Sequence, residues 1–203
     1  MKNKILPIII IFIIVLGIVG AAQWYLSTHK NAAEKNPATS LPGQSGQTNG
    51  QNVFANDDFS FTYPNGWQSV PPQTGVSAMI VKQNEISTDP QAKKMNFQSY
   101  MSVSYAPSDK TSKNLIIDAV KNQLRSLIPD IAFSQEKSLT INQNDAYAME
   151  MNLNQGGINF HILMVLVWGK GNDVWILSFN TLESLWQGYA DTFGEITQTF
   201  TVK

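Results

Sequence analysis

Few side chains in this sequence are equipped for chemistry. The carboxylate pair Asp57-Asp58 stands just before an alternating apolar segment. Paired carboxylates can hold Ca²⁺ or exchange protons, but at the entry to a strand they read first as solvated turn residues. His161, in Asn-Phe-His-Ile-Leu, has the side chain of a general base or metal ligand. No carboxylate stands at a supporting spacing along the chain, so it is expected to be a hydrogen-bonded or edge-exposed structural histidine. The second histidine, His29, lies in a polar stretch. Gly169-Lys170-Gly171-Asn172-Asp173 offers backbone N–H groups to an anion; between two strongly apolar segments it reads as a hairpin turn. Met149 and Met151 share one strand face and are expected in the core. Trp67, Trp168, Trp175 and Trp186 are also core candidates, and any exposed together would mark a partner surface. No Gly-x-Ser-x-Gly, Walker-type loop, His-Glu-x-x-His or dinucleotide fingerprint occurs. No catalytic, cofactor-binding or metal-ligating residue is therefore assigned. No cofactor is expected, and the chain is expected not to be an enzyme.

Composition narrows the classes further. The 203 residues contain no cysteine, which excludes disulfide scaffolds, zinc fingers, Cys-ligated clusters, thiol catalysis and a lipidated N-terminal cysteine. Lys and Arg number 14 against 15 Asp and Glu, with no basic block, so nucleic acid is not an expected partner.

The apolar residues are concentrated at the start. The run from Ile5 to Ala22 carries no charge. Continued through Leu26 it reaches the roughly 20 residues that cross a hydrocarbon core. Trp24 and Tyr25 then fall at the far interface, and Lys2 and Lys4 favour a cytoplasmic N-terminus. Residues 1–26 are accordingly predicted to be a transmembrane signal-anchor, with the membrane engaged through Ile5 to Leu26. The long Ile-rich core favours an uncleaved anchor. Val19-Gly20-Ala21 offers a small-residue pattern at which a cleaved signal peptide would end, near Ala21, releasing a secreted domain.

From Ser27 to Asn52 most positions are Gly, Pro, Ser, Thr, Asn or Gln, and Leu41 is the one large aliphatic. Such a segment buries too little apolar surface to offset chain entropy, so residues 27–52 are predicted to be a disordered tether. Residues 53–203 are predicted to be the folded, extracytoplasmic domain. From Phe54 it carries ten Lys/Arg against fourteen Asp/Glu, a balance repelled by anionic headgroups.

Within the domain, Phe59, Phe61 and Tyr63 alternate with polar residues and predict a half-buried strand. Pro64-Asn65-Gly66 is a turn into Trp67. Further strands are expected over Ser77 to Lys82, around Phe97 to Tyr105, and around Tyr147 to Leu153. Ile158 to Trp168 and Val174 to Phe179 are apolar on both parities, the pattern of strands covered on both faces. Short turns between them predict antiparallel hairpins. Ile116/Ile117, Val120, Leu124 and Leu127/Ile128 predict a helix capped by Thr111 or Ser112 and stopped by Pro129. Leu182, Leu185/Trp186, Tyr189, Phe193 and Ile196 predict a second helix, capped by Thr181. Thr199 to Val202 predicts a short last strand. The fold class is α+β: an antiparallel sheet of about six or more strands flanked by helices, preceded by one transmembrane helix.

Two passages resemble the PsbP-like family. Phe59-Ser60-Phe61-Thr62-Tyr63-Pro64-Asn65-Gly66-Trp67 resembles its opening strand and Tyr-Pro-turn-Trp. Val174 to Phe179, then Glu183 to Ile196 and Thr199-Phe200, resemble its last strand, C-terminal helix and closing strand, with Thr199 in place of the usual Ser. The resemblance implies the Mog1/PsbP-type α/β/α sandwich and a habit of binding protein partners. It implies no functional residue. The named family member is an extrinsic subunit of the oxygen-evolving photosystem; others on this fold bind a small GTPase or are bacterial membrane-anchored proteins, and this chain is similar to the last kind. The expected function is a non-catalytic, membrane-tethered accessory domain in the cell envelope, engaging an envelope protein or a small ligand. Two alternatives are an envelope hydrolase using carboxylates such as Asp57, Asp58 or Glu150, and a cell-surface adhesion or structural module.

Overall fold

The computed structural model describes residues 44–48, 50–108, 111–170 and 173–203. The expected anchor from Ile5 to Leu26, the cleavage position near Ala21, His29 and the tether through residue 43 lie outside the described residues. Among the described residues, no helix is long and apolar enough to cross a membrane.

Two antiparallel sheets carry the fold. The smaller contains β1 (Gln44–Thr48), β2 (Gln51–Ala55), β3 (Phe59–Pro64) and β11 (Thr201–Val202), in the order β1-β2-β3-β11. The larger contains β4 (Trp67–Val70), β5 (Ala78–Lys82), β6 (Tyr100–Ala106), β7 (Ala132–Ile141), β8 (Asn144–Gln155), β9 (Ile158–Trp168) and β10 (Val174–Leu182). Its order is β4-β5-β6-β10-β9-β8-β7. Among the described residues the helices are α1 (Pro90–Lys94), α2 (Lys113–Leu127) and α3 (Trp186–Thr199), the last entered through a 3₁₀ turn at Glu183–Leu185.

The two-parity strands sit where they must. β9 and β10 are neighbours inside the larger sheet, and each sends its alternate residues to opposite cores. Phe160, Ile162, Met164, Leu166 and Ile176 pack with Ile116, Val120 and Leu124 of α2. Val165, Val167, Trp175, Leu177 and Phe179 pack with Phe54, Phe59 and Phe61 of the smaller sheet and with Phe193 and Ile196 of α3. Met149 and Met151 are fully buried on the α2 side, as expected. The four-residue spacing of Ile116, Val120 and Leu124 places one stripe of α2 on the sheet. The helix ends before Pro129, whose ring disfavours the α region for the residue ahead of it. That residue, Ile128, accordingly has a backbone outside the helical region.

The architecture departs from the expected sandwich in four places. The expected single sheet is two. β3 pairs with β2 and β11, whereas β4 pairs with β5, so Pro64-Asn65-Gly66 is a passage between sheets and not a hairpin. Gly66 makes the passage with φ +82°, and its carbonyl accepts the Gln83 N–H at 2.8 Å. One face of the larger sheet is therefore covered by α1 and α2, the other by α3 together with the smaller sheet. Secondly, the stretch read as tether to Asn52 carries strand from Gln44, with β1 and the start of β2 forming a hairpin. Backbone pairing to β2 supplies the order that its side chains do not advertise. Thirdly, Thr181 does not cap a helix. β10 continues through Leu182, and the Thr181 hydroxyl lies buried 2.7 Å from that of Ser99. Fourthly, α1 was not evident from periodicity; it is fixed by Asp89, whose carboxylate accepts the N–H groups of Gln91 and Ala92 at 2.8 Å. At α2, Ser112 takes the cap position without a side-chain hydrogen bond.

Candidate functional site

Where the smaller sheet meets the end of the larger one, an open cleft of about 430 Å³ is lined by Asp57, Asp58, Tyr105, Lys170, Asp173 and Trp175, with Ser77, Val202 and Lys203 at its margin. It brings together the carboxylate pair, two charged residues of the Gly169–Asp173 turn and one of the four tryptophans. The Asp57-Asp58 loop is held by Asn56, whose Oδ1 accepts the N–H groups of Asp58 at 3.0 Å and Phe59 at 2.9 Å. The Lys203 N–H donates to the Asp58 carbonyl at 2.9 Å, and the Lys203 ammonium donates to the Asn56 carbonyl. Across the cleft, the Gly169 N–H donates to the Asp173 carbonyl at 2.8 Å and closes the β9–β10 turn. That turn packs tightly: a Cβ on Gly169 would stand 3.2 Å from Val202 Cγ1 and 3.3 Å from Trp175 Nε1. Residues 171 and 172 lie outside the described residues.

The cleft floor is aromatic. Tyr105 and Trp175 are paired neighbours on β6 and β10, their ring centroids 5.1 Å apart. Trp175 is buried and packs on Phe59 at 4.9 Å and on Phe200 at 6.4 Å. Tyr105 is 37% exposed, and it is the exposed aromatic among the described residues. The tryptophans themselves form no exposed patch: Trp67, Trp168 and Trp175 are buried and Trp186 is half-buried. Among the described residues, no group of three or more His, Asp or Glu side chains is arranged to hold a metal ion. The cleft sets three carboxylates and two ammonium groups around an aromatic surface.

His161 lies elsewhere, on the α3 face of β9. Its Nε2 is 3.0 Å from Glu150 Oε2, and its ring stacks on Trp186 at 3.8 Å with 15° between planes. The expectation that no carboxylate supports it is thus overturned. A register signal was available: the two-residue turn at Gly156-Gly157 sets His161 opposite Asn152, and Glu150 is then the diagonal neighbour on the same face. Burial lowers the His161 pKa, against the opposing pull of Glu150 and Glu183. Nearby, the Ser99 hydroxyl donates to Glu85 at 2.8 Å while the Ser99 N–H donates to the same carboxylate at 2.6 Å. With its proton so engaged, Ser99 accepts from Thr181 at 2.7 Å. Tyr189 of α3 also bonds Glu85, and burial raises its pKa first, with that carboxylate adding to the rise. Ser99 and His161 thus bond different acids and form no relay. Their groups tie the start of α3 to the larger sheet. Glu150 and the pair Asp57-Asp58, grouped in the hydrolase alternative, occupy separate sites.

A family model described as PsbP-like protein matches residues 7–202, nearly the whole chain and both passages that carry the resemblance. The chain belongs to the PsbP-like family. No curated protein sequence matches it. Among solved structures, this PsbP-like chain is similar to cyanobacterial PsbP (CyanoP) from Synechocystis sp. PCC 6803. Identity is 17% and the TM-score 0.54, over 84% of this chain and 99% of that one. It is also similar to LpqN of Mycobacterium tuberculosis, a protein involved in cell envelope biogenesis. There identity is 15% and the TM-score 0.55, over 71% of this chain and 83% of that one. At these identities the likeness is one of fold.

Proposed function

We propose that this PsbP-like chain is a non-catalytic accessory domain, tethered to the cell membrane by Ile5 to Leu26, that binds an envelope protein from outside the cytoplasm. The observation that carries the reading is the cleft: separate parts of the sequence converge there on one exposed ring backed by the core. The uncharged run from Ile5 to Ala22 and the lysines before it support the anchor and the topology. The envelope role of LpqN, a protein of similar fold, supports the location. Gln44, the first residue of β1, pairs with Ala55, next to the loop that rims the cleft. The cleft therefore lies at the end of the domain where the tether joins. Fully extended, the segment from Ser27 to Gly43 would reach about 60 Å, so a partner in or near the membrane is within range.

In-cell photocrosslinking tests this. A benzophenone side chain at Ser77, beside the cleft, is expected to capture one envelope protein. The same group at Asn122, exposed on α2, is expected to capture none or different ones. Equal products from both positions would refute the cleft as the contact. A reporter fused after Lys203 is expected to be active only outside the cytoplasm, and cytoplasmic activity would overturn the topology.

A further inference from the structure

We infer that β1 pairs with β1 of a second copy of this chain, joining two smaller sheets edge to edge outside the membrane. The inference takes the membrane tether from the proposed function and nothing from the cleft. The first observation is a comparison of sheet edges. Among the described residues, β1 and β11 end the smaller sheet, and β4 and β7 end the larger. Native sheets guard such edges by brevity, proline, charge or a bulge, because unpaired N–H and C=O groups recruit other strands. β11 is two residues long. β4 is four residues long and runs into Pro71-Pro72. β7 is longer, but it carries Glu136 and Lys137, and its register shifts between Ser134 and Lys137. β1 has none of these devices. Gln44–Thr48 contains no charge and no proline, and it pairs with β2 without a shift.

The second observation is the register. Thr48 pairs with Gln51 across a two-residue connection, which makes that pair a hydrogen-bonded one. The ladder alternates from there, so Ser45 and Gln47 turn their N–H and C=O groups away from β2. An antiparallel copy centred on Gly46 sets Ser45 opposite the second copy's Gln47, and Gln47 opposite its Ser45. Both pairs then exchange both of their N–H···O bonds, and every outward backbone group of β1 is used. The contact is two-fold and self-complementary, so it closes at two copies. It sets no like charges opposite each other.

The place where the tether ends argues for a second copy as the occupant. Gln44 opens β1, so every copy in one membrane holds the same edge at the same reach from the surface. In the pair, the two Gln44 residues lie about 14 Å apart along the strands. The segments from Ser27 to Gly43 span that gap with ease. A five-residue edge buries far less than the roughly 1,200 Å² of a stable interface. Pairing therefore depends on the high effective concentration that a shared membrane gives.

The test uses the full chain in its own membranes. The sequence has no cysteine, so single-cysteine variants read one position each. Opposed Cα atoms in an antiparallel pair are about 4.5–5.5 Å apart, within disulfide reach. Under mild oxidation, Gly46→Cys is expected to give at least about fivefold more disulfide dimer than Asn122→Cys, on the exposed face of α2. Ser45→Cys and Gln47→Cys should give little dimer alone and a mixed dimer when expressed together. Gln47→Pro removes an outward N–H, a change that an edge strand tolerates. In the Gly46→Cys chain it is expected to remove most of the dimer.

Equal dimer from all positions would mark random collision, and no excess at Gly46 would mean that another strand covers the edge. Either result overturns the inference, as does a Gly46→Cys dimer that Gln47→Pro leaves unchanged. Alkaline extraction of the membranes reads the tether separately. A chain released by it removes the anchor of the proposed function, and the Gly46 comparison still decides the pairing. A chain retained without a Gly46 dimer keeps the anchor and removes the pairing.

Discussion

Replacing Asn142 by alanine and by glycine separates what its side chain contributes from what its backbone costs. Asn142 and Gln143 form the two-residue turn between β7 and β8, with φ of 45° and 68°. Positive φ at both positions is the type I′ turn that suits the twist of a hairpin. The Asn142 Nδ2 group lies 2.9 Å from the Phe200 carbonyl, 3.1 Å from the Gln198 carbonyl and 3.1 Å from Thr201 Oγ1. An amide has two hydrogens, so two of these are full bonds at any time. Each contributes about 0.5–1 kcal/mol in a partly solvated place. Alanine loses them and also puts an ordinary side chain in the left-handed region, a further cost of about 1 kcal/mol. Glycine loses the bonds without that strain. The expected destabilisation is about 2–3 kcal/mol for Asn142→Ala and about 1–2 kcal/mol for Asn142→Gly. Urea denaturation of the full chain in micelles, followed by tryptophan fluorescence, reads both. In heating, the alanine variant should melt about 4–12 °C lower, at about 2–4 °C per kcal/mol for a domain of this size. A glycine variant as stable as the natural chain would refute the bonding argument. Equal losses for the two variants would refute the strain argument. The bonded atoms join α3 to β11, the strand that brings Val202 and Lys203 to the cleft, so both variants should also weaken whatever the cleft binds.

Four further outcomes follow from the turn, the His161 pair and the core. Gln143→Gly should stabilise the chain by about 0.5–1 kcal/mol in urea, because Gln143 is exposed and only its left-handed backbone is relieved. Glu150→Gln should lower the His161 pKa further, as seen by NMR titration, since the carboxylate is a group that holds it up against burial. Because the folded pKa of His161 lies below its unfolded value near 6.5, its contribution to stability is present above that pH and is lost as pH falls toward the folded value; His161→Gln should flatten this part of the acid profile in urea denaturation. Phe193→Ala should cost about 3–5 kcal/mol, also in urea, as Phe193 is fully buried among Trp67, Phe179, Trp186 and Tyr189.

How far the fold could be read depended on which part of each residue carries the information. β9 and β10 were legible because burial on both faces leaves apolar residues on both parities. α2 was legible because Ile116, Val120 and Leu124 repeat at the helical period. β7 was not, because it is an edge strand whose mostly exposed residues show no alternation. β1 was not, because a Gln-Ser-Gly-Gln-Thr strand is held by backbone pairing to β2. The existence of two sheets was hidden in Pro64-Asn65-Gly66, since the same turn residues serve a hairpin and a passage between layers. The cleft was half-legible. Asp57, Asp58, Lys170, Asp173 and Trp175 each drew notice, but Tyr105 read as one more alternating core residue. Convergence of positions so far apart in sequence is set by sheet order, which no local pattern reports.

That sheet order also explains why the cleft forms at one place. The smaller sheet packs on the larger through Phe54, Phe59 and Phe61, and the column of rings continues from Phe61 through Phe59 and Trp175 to Tyr105. The column reaches solvent at Tyr105, beyond the point where β11, two residues long, stops covering the larger sheet. A surface built this way is an outcrop of the core and not a flexible loop. Its aromatic face is ordered before any partner arrives, so binding does not have to supply the entropy of ordering it. The backbone beside it is also held: at Asp58 by the Asn56 side chain and the Lys203 N–H, at Asp173 by the Gly169 N–H. Recognition at such a site depends on the charge and shape of what enters.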